Sequence, residues 1–296
     1  MRPLTPGFYW YSPKYDYDGT AHVVFLSDVH VGGERSLAPR NFMAKAGPSD
    51  EDSEPYRLNL CQRYLDACWR HMLDHLPKRF VFVFVGDLIS GINRGVLTRN
   101  WTVDPEEQRD AAVELLLPIV RKADATYMCE GTPFHEPAFA SAEREAAKRL
   151  RDKTDKPVRY ADVHNVELLG HTINAVHSRS TVQDYPSTPT DKEIEGSILA
   201  EMIGSAPHAD FIVRAHIHPN SFGFVSRHGK VGWFNLCWQV PDDYSAVGLA
   251  RYYRRLMMLG TIVLELSKEP VPSGFKFHQL SYPLPPSRMR VQHVKW

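Results

Sequence analysis

The sequence predicts an α/β fold in which two packed β-sheets are flanked by helices within one domain. Three observations lead to that reading. Continuous apolar runs recur at residues 22–26, 80–85, 173–176 and 211–213, the pattern of strands covered on both faces. The elements run as βα repeated three times and then as a β-rich half with one helix, which suits two sheets with helices outside them. The 296 residues hold no repeat, low-complexity tract or linker that would divide the chain.

Taken in order, residues 1–21 read as an irregular N-terminal arm. Its rings Phe8, Tyr9, Trp10 and Tyr11 are expected to pack onto the domain surface, with base stacking as the weaker alternative. The single domain then spans 22–296. After the first strand, residues 31–55 are rich in Gly, Pro, Ser and charge and form a long loop of the kind that carries function in compact domains. Leu58, Cys61, Leu65, Trp69, Met72 and Leu76 recur at three- and four-residue steps, an amphipathic helix ended by Pro77. A second loop, 90–104, carries Arg94, Arg99 and Trp101. Asp104 caps the next helix with Pro105 in its first turn. Val113, Leu116, Leu117 and Val120 form its apolar face, and Pro118 is expected to kink or end it.

A short strand at 125–130 leads into Gly131, and a helix over 137–152 places Glu145 and Arg149 to pair. Strands at 165–169 and 172–176 are expected to turn at Gly170 and His171. A helix opens at Thr190 and runs to about Ile203, followed by a strand over 211–218. A hairpin turns at His228 and Gly229 between 222–226 and 231–236, and strands at 261–266 and 275–282 precede an irregular tail, 283–296.

Lysine plus arginine (35) equals aspartate plus glutamate (35). Non-specific nucleic-acid affinity rests on clustered basic groups releasing counterions, so this balance argues against a general nucleic-acid coat protein but not against an enzyme with a local basic groove. Cys61, Cys68, Cys129 and Cys237 form no C-x-x-C pair and read as reduced, buried thiols. The N-terminus lacks the charged and then apolar stretch of a signal peptide. No apolar run approaches the roughly 20 residues of a membrane span. A soluble, cytoplasmic protein without a membrane partner is expected.

The chemistry lies at the ends of the apolar runs. Asp28-Val29-His30, Gly86-Asp87, His135-Glu136, His177 and His216-Ile217-His218 each follow a strand-like stretch. Ligands of α/β sheets bind beyond the carboxyl ends of the strands. Imidazoles and carboxylates converging there point to a transition-metal site. Any single one of the fourteen histidines is more often a surface or satisfied core residue, and His22, His71, His75, His164, His171, His208, His228, His278 and His293 are read that way. The ordered set is a different matter.

That set resembles the calcineurin-like metallophosphoesterases, whose blocks D-x-H, G-D-x-x-D, G-N-H-[D/E], an isolated His and G-H-x-H occur in this order. Four of the five are present across residues 28–218. The resemblance implies a four-layer αββα sandwich of two mainly mixed β-sheets flanked by helices, with a two-metal centre at the strand ends. Carried over by position, it implies that Asp28, His30 and His218 hold one metal, that His177 and His216 hold the other, and that Asp87 bridges them. It assigns His135 as the catalytic acid for the leaving alkoxide. Nitrogen and carboxylate donors suit manganese, iron, zinc or nickel better than calcium or magnesium, with manganese expected first. Two such ions about 3.5–4 Å apart clamp a phosphoryl group and provide hydroxide near neutral pH.

Three positions depart from the family's blocks. Thr132 stands where the family has its metal-binding Asn, with two residues inserted before His135. Ser90 replaces the second Asp, which would orient His135, and Glu136 is a candidate to compensate. Ala215 replaces the Gly before His216. The expected activity is phosphodiester hydrolysis on nucleotides or nucleic acid, as a phosphodiesterase or nuclease. Arg179, Arg94 and Arg99 are candidate phosphate contacts, and Arg251, Arg254 and Arg255 form a basic run on an expected helix. The rival readings are a metal-binding scaffold without turnover on the same fold, and a phosphomonoesterase. A phosphoprotein phosphatase ranks lower because its fuller blocks are absent.

Overall fold

The computed structural model describes residues 9–11, 17, 19–45, 53–91, 100–132, 141–177, 187–218, 223–240 and 258–285. Its elements are β1 (Tyr9–Tyr11), β2 (Thr20–Leu26), β3 (Met43–Lys45), β4 (Ser53–Pro55), α1 (Leu60–Asp74), β5 (Val81–Val85), α2 (Pro105–Lys122), β6 (Ala125–Cys129), α3 (Ala142–Asp152) and β7 (Val158–Ala161). There follow β8 (Val163–Leu168), β9 (His171–Val176), α4 (Thr188–Met202), β10 (Phe211–Arg214), β11 (Phe224–Arg227), β12 (Lys230–Phe234), β13 (Leu259–Ser267) and β14 (Phe275–Tyr282).

Two six-stranded sheets carry the fold, ordered β14-β13-β2-β5-β6-β7 and β1-β8-β9-β10-β12-β11. Both are mixed. In the first, β2, β5, β6 and β7 run parallel, with β13 antiparallel to β2 and β14. In the second, β9, β10 and β12 are parallel, β8 is antiparallel to β9 and parallel to β1, and β11 is antiparallel to β12. Alternate side chains of one strand serve different layers, as the twofold period of a strand requires. Val23, Phe25, Val81, Val83, Val85 and Tyr127 meet Ile173, Ala175, Phe211, Val213 and Trp233 between the sheets. Val24, Leu26, Phe82, Phe84 and Met128 turn the other way, onto Leu65, Trp69, Met72, Leu116, Ile119 and Leu150 of α1, α2 and α3. On the far side, α4 covers the second sheet through Ile194 against Ile212. The result is the expected four-layer αββα sandwich of two mixed sheets.

The helices start where their caps dictate. Asn59 and Gln62 form a reciprocal capping box at α1, Asp104 accepts from Glu106 N at α2, and Ser141 accepts from Arg144 N at α3, satisfying orphan N–H groups of the first turn. Pro118 does not end α2, which continues to Lys122. The proline is on the exposed face, while Leu115, Leu116, Ile119 and Val120 are buried. Among the ion pairs of the described residues, Arg149 is not joined to Glu145. Arg149 reaches across to Glu106 and Asp110 on α2 instead, because α3 packs directly on that helix.

Other expectations shift locally. The N-terminal arm is not wholly irregular, since Tyr9–Tyr11 adds a parallel edge strand to β8, and β2 begins at Thr20, inside the arm. The long loop over 31–55 contains the antiparallel strand pair β3–β4. The β8–β9 turn falls at Leu169 and Gly170, one residue earlier than expected, and both have positive φ (52° and 86°), the conformation that two-residue hairpins favour. His171 lies within β9, buried, with Nε2 bonded to Ser267 O. The hairpin at His228 and Gly229 forms as expected. All four cysteines are free and buried. Among the described residues no helix is long and apolar enough to cross a membrane. Phe8, the basic run at Arg251, Arg254 and Arg255, and residues 286–296 lie outside the described residues.

Candidate metal centre

The parallel strands β2 and β5 end side by side and their following loops stay paired. Asp28 N donates to Gly86 O (3.0 Å), Val29 N and His30 N to Asp87 O (3.1 and 3.2 Å), and Val31 N to Leu88 O (2.9 Å). The β12 end is tied to the same place, with Trp238 N donating to Asp28 O (3.1 Å). From the second sheet, the loop after β10 is joined by His216 N donating to Asp28 Oδ2 (3.4 Å). Side chains nearly 190 residues apart in sequence (|i−j| of 188 and 190) are thereby brought onto one spot at the carboxyl ends of both sheets.

Two groups of potential ligands result, Asp28 with His30 and His218, and Asp87 with His177 and His216, each with its donor atoms within 4.8 Å of one another. In the first, His218 Nε2 is 3.1 Å from Asp28 Oδ1 and 3.3 Å from His30 Nε2, and His30 Nε2 is 3.9 Å from Asp28 Oδ1. In the second, Asp87 Oδ2 lies 3.1 Å from His177 Nε2 and 3.8 Å from His216 Nδ1. The same oxygen is also 3.8 Å from His30 Nε2. Asp87 therefore stands between the groups. The side chain of His177 is 1% exposed and that of His216 38%, so the centre opens on the His216 side.

Tautomer and charge follow from the partners. His177 Nδ1 faces Val85 O at 2.7 Å; a carbonyl only accepts, so Nδ1 carries the hydrogen and Nε2 points at Asp87. Burial pushes His177 towards neutrality, but the Asp87 charge and hydrogen bond, with Asp28 behind them, outweigh it and raise its pKa to about 10. Burial raises the Asp28 carboxyl, and His218 more than reverses this, holding it at about 2. His218 is likewise raised, its burial being outweighed by Asp28. Such a cluster gathers positive charge opposite two buried carboxylates. Its nitrogen and carboxylate donors are the set that binds transition-metal ions.

The backbone at this site is strained. Among the described residues eight non-glycine positions have positive φ, and five of them are Asp28 (51°), His30 (44°), Asp87 (55°), His216 (90°) and His218 (43°). An L-residue there costs roughly 1–2 kcal/mol, and such strain gathers at functional sites. Consequently, His218→Gly is expected to be more stable than His218→Ala by about 1 kcal/mol. At His177, which is not among these positions, glycine should be the less stable of the pair by roughly 0.5–1 kcal/mol. Denaturant titration of the metal-free variants measures both orders.

Several further residues support the centre, and of these Glu143 was not singled out from the sequence. Thr132 is not directed as a replacement ligand; its N and Oγ1 both bond to Asp87 Oδ1, at 2.6 and 2.7 Å. Gly131 comes so close to the β5 loop that a Cβ there would lie 2.5 Å from Asp87 N and 2.7 Å from Glu143 Oε1. Glu143, fully buried, accepts Leu88 N at 2.9 Å, and burial raises its carboxyl. Ser90 Oγ donates to Asn100 Oδ1 (3.0 Å). Trp101 stacks on Tyr56 (ring centroids 4.4 Å apart) and meets Phe42 edge-on, so its face is already covered. His135, Glu136, Arg94, Arg99 and Arg179 lie outside the described residues.

No family model matches the chain, and no curated protein matches it. Solved structures do. The chain is similar to vacuolar protein sorting 29 (Vps29) from Cryptosporidium parvum, at 10% identity over 90% of this chain and 100% of that one, with a TM-score of 0.42. It is similar to Vps29 from Entamoeba histolytica complexed with zinc, at 12% identity over 88% and 98% of the two chains (TM-score 0.39). It is also similar to a novel archaeal phosphodiesterase, at 8% identity over 87% and 99% (TM-score 0.39).

Proposed function

We propose that this protein is a metal-dependent phosphoesterase with two divalent transition ions, one held by Asp28, His30 and His218 and one by His177 and His216, with Asp87 shared. The supporting observation is the position of Asp87 Oδ2, within 3.8 Å of His30, His177 and His216 together. Manganese is the first candidate, with iron, zinc and nickel as alternatives. Ions bound there would supply Lewis acidity and a water acidified towards neutral pH.

The chain's own groups have distinct tasks. Asp28 and Asp87 supply the negative charge that holds cations in a buried place. Val85 O fixes the His177 ring so that Nε2 faces the centre. His135, on the segment after Thr132, is the proposed acid that delivers an imidazole proton to the leaving alkoxide. The proposed substrate is a phosphodiester, in a nucleotide or nucleic acid, with Arg94, Arg99 and Arg179 as candidate phosphate contacts. The free, buried cysteines fit a reducing compartment, and the cytoplasm is the proposed location.

The test is turnover of bis-p-nitrophenyl phosphate and p-nitrophenyl phosphate by metal-free protein reloaded with manganese, alongside elemental analysis. Two equivalents of metal with metal-dependent diester cleavage are expected. Cleavage of the monoester alone would make the protein a phosphomonoesterase. Full metal content without turnover of either substrate under any of the four metals would make it a scaffold. Failure to bind metal would end the whole reading.

A further inference from the structure

We infer that Thr132 is a positioning residue that holds the Asp87 carboxylate by Oδ1 and so keeps Oδ2 turned towards both groups of ligands, where it would serve two ions. The inference rests on the two-ion reading above and deepens it. Two donors of one residue, Thr132 N and Oγ1, converge on Asp87 Oδ1 at 2.6 and 2.7 Å. A carboxylate oxygen offers about two lone-pair sites, so these two bonds occupy Oδ1. The opposite oxygen is the one that faces His30, His177 and His216. The carboxylate cannot rotate to exchange the two without giving up both bonds.

The surroundings hold Thr132 to this task. Gly131 brings the chain within a Cβ's reach of Asp87 N and of Asp87 Oδ1 (2.5 and 2.6 Å). Glu143 secures the next residue, Leu88, from the other side. Threonine is branched at Cβ and stiff at χ1, which keeps the hydroxyl on Oδ1. A hydroxyl that spends its one proton on the bridging carboxylate acts through that carboxylate. Thr132 thus takes the place of a ligand in sequence while working as an orienting group. Partners of this kind are worth about 10–100-fold in metal affinity.

Calorimetric titration of metal-free protein with manganese, together with electron paramagnetic resonance of the loaded protein, tests this. Wild type and Thr132→Ser, which keeps the hydroxyl, are expected to bind two ions and show the spectrum of an exchange-coupled pair. Thr132→Val is expected to weaken one of the two sites about 10–100-fold and to lose the coupled spectrum. Thr132→Asn is expected to bind no tighter than wild type. If valine leaves both affinities and the coupling unchanged, the hydroxyl positions nothing and the inference falls. If asparagine tightens the second site, Thr132 stands at a ligand position and the inference also falls. Should wild type itself bind fewer than two ions, the two-ion reading fails first, independently of how the variants compare. Far-UV circular dichroism of the metal-free variants confirms that each is folded.

Discussion

Asp87→Asn is expected to bind at most one ion, and that one more weakly than wild type does, with turnover reduced by more than the roughly 100-fold upper end for losing a group that only orients a ligand. The reason is the shared position of Oδ2, between His30 in one group and His177 and His216 in the other. An amide has the size of the carboxylate but no charge, so both positions lose the anion that offsets the imidazoles. Asp28→Asn removes charge mainly from the first group, whose other members are His30 and His218. It should leave the second ion in place and cost less. Elemental analysis and manganese titration of the two variants give the order directly. Retention of two full-affinity ions by Asp87→Asn would show that the carboxylate bridges nothing.

What the sequence could and could not reveal follows from the range of the forces involved. The strands that carry Asp28, Asp87 and His177 were legible because continuous burial leaves a continuous apolar run, as Phe82, Val83 and Phe84 show. Chain order then sufficed to place the candidate ligands at strand ends. Thr132 was not legible, since the direction of its hydroxyl depends on how the loop after β6 lies against the loop after β5. Glu143 is a charged residue in a helix rich in charge, and its burial follows from the packing of α3 against α2, β6 and β7. Arg149 was expected to pair along its own helix, but nearby α2 offers two carboxylates. Tyr9–Tyr11 pairs as a strand through backbone groups that carry no residue code. In each case the sequence was informative where a pattern is local and silent where a partner arrives from elsewhere in the chain.

Gly86 offers a way to separate backbone strain from crowding at the centre. Its φ is +75°, and a Cβ there would lie 2.7 Å from Cβ, Cγ and Nδ1 of His177. Gly86→Ala therefore combines two penalties, roughly 1–2 kcal/mol for the left-handed conformation and roughly 1–3 kcal/mol for overpacking. The ring cannot stay where it is, so the His177 Nδ1 bond to Val85 O breaks and Nε2 swings away from Asp87. The expected results are a melting temperature lower by on the order of 5–10 °C and the loss of one bound ion. Gly170 is the matched control, with φ +86° and nothing within 4 Å of its Cβ position. Gly170→Ala meets only the conformational penalty, about 1–2 kcal/mol, and should retain both ions. If the two alanine variants lose equal stability and bind equal metal, the close approach of Gly86 to His177 does not hold that ring in place.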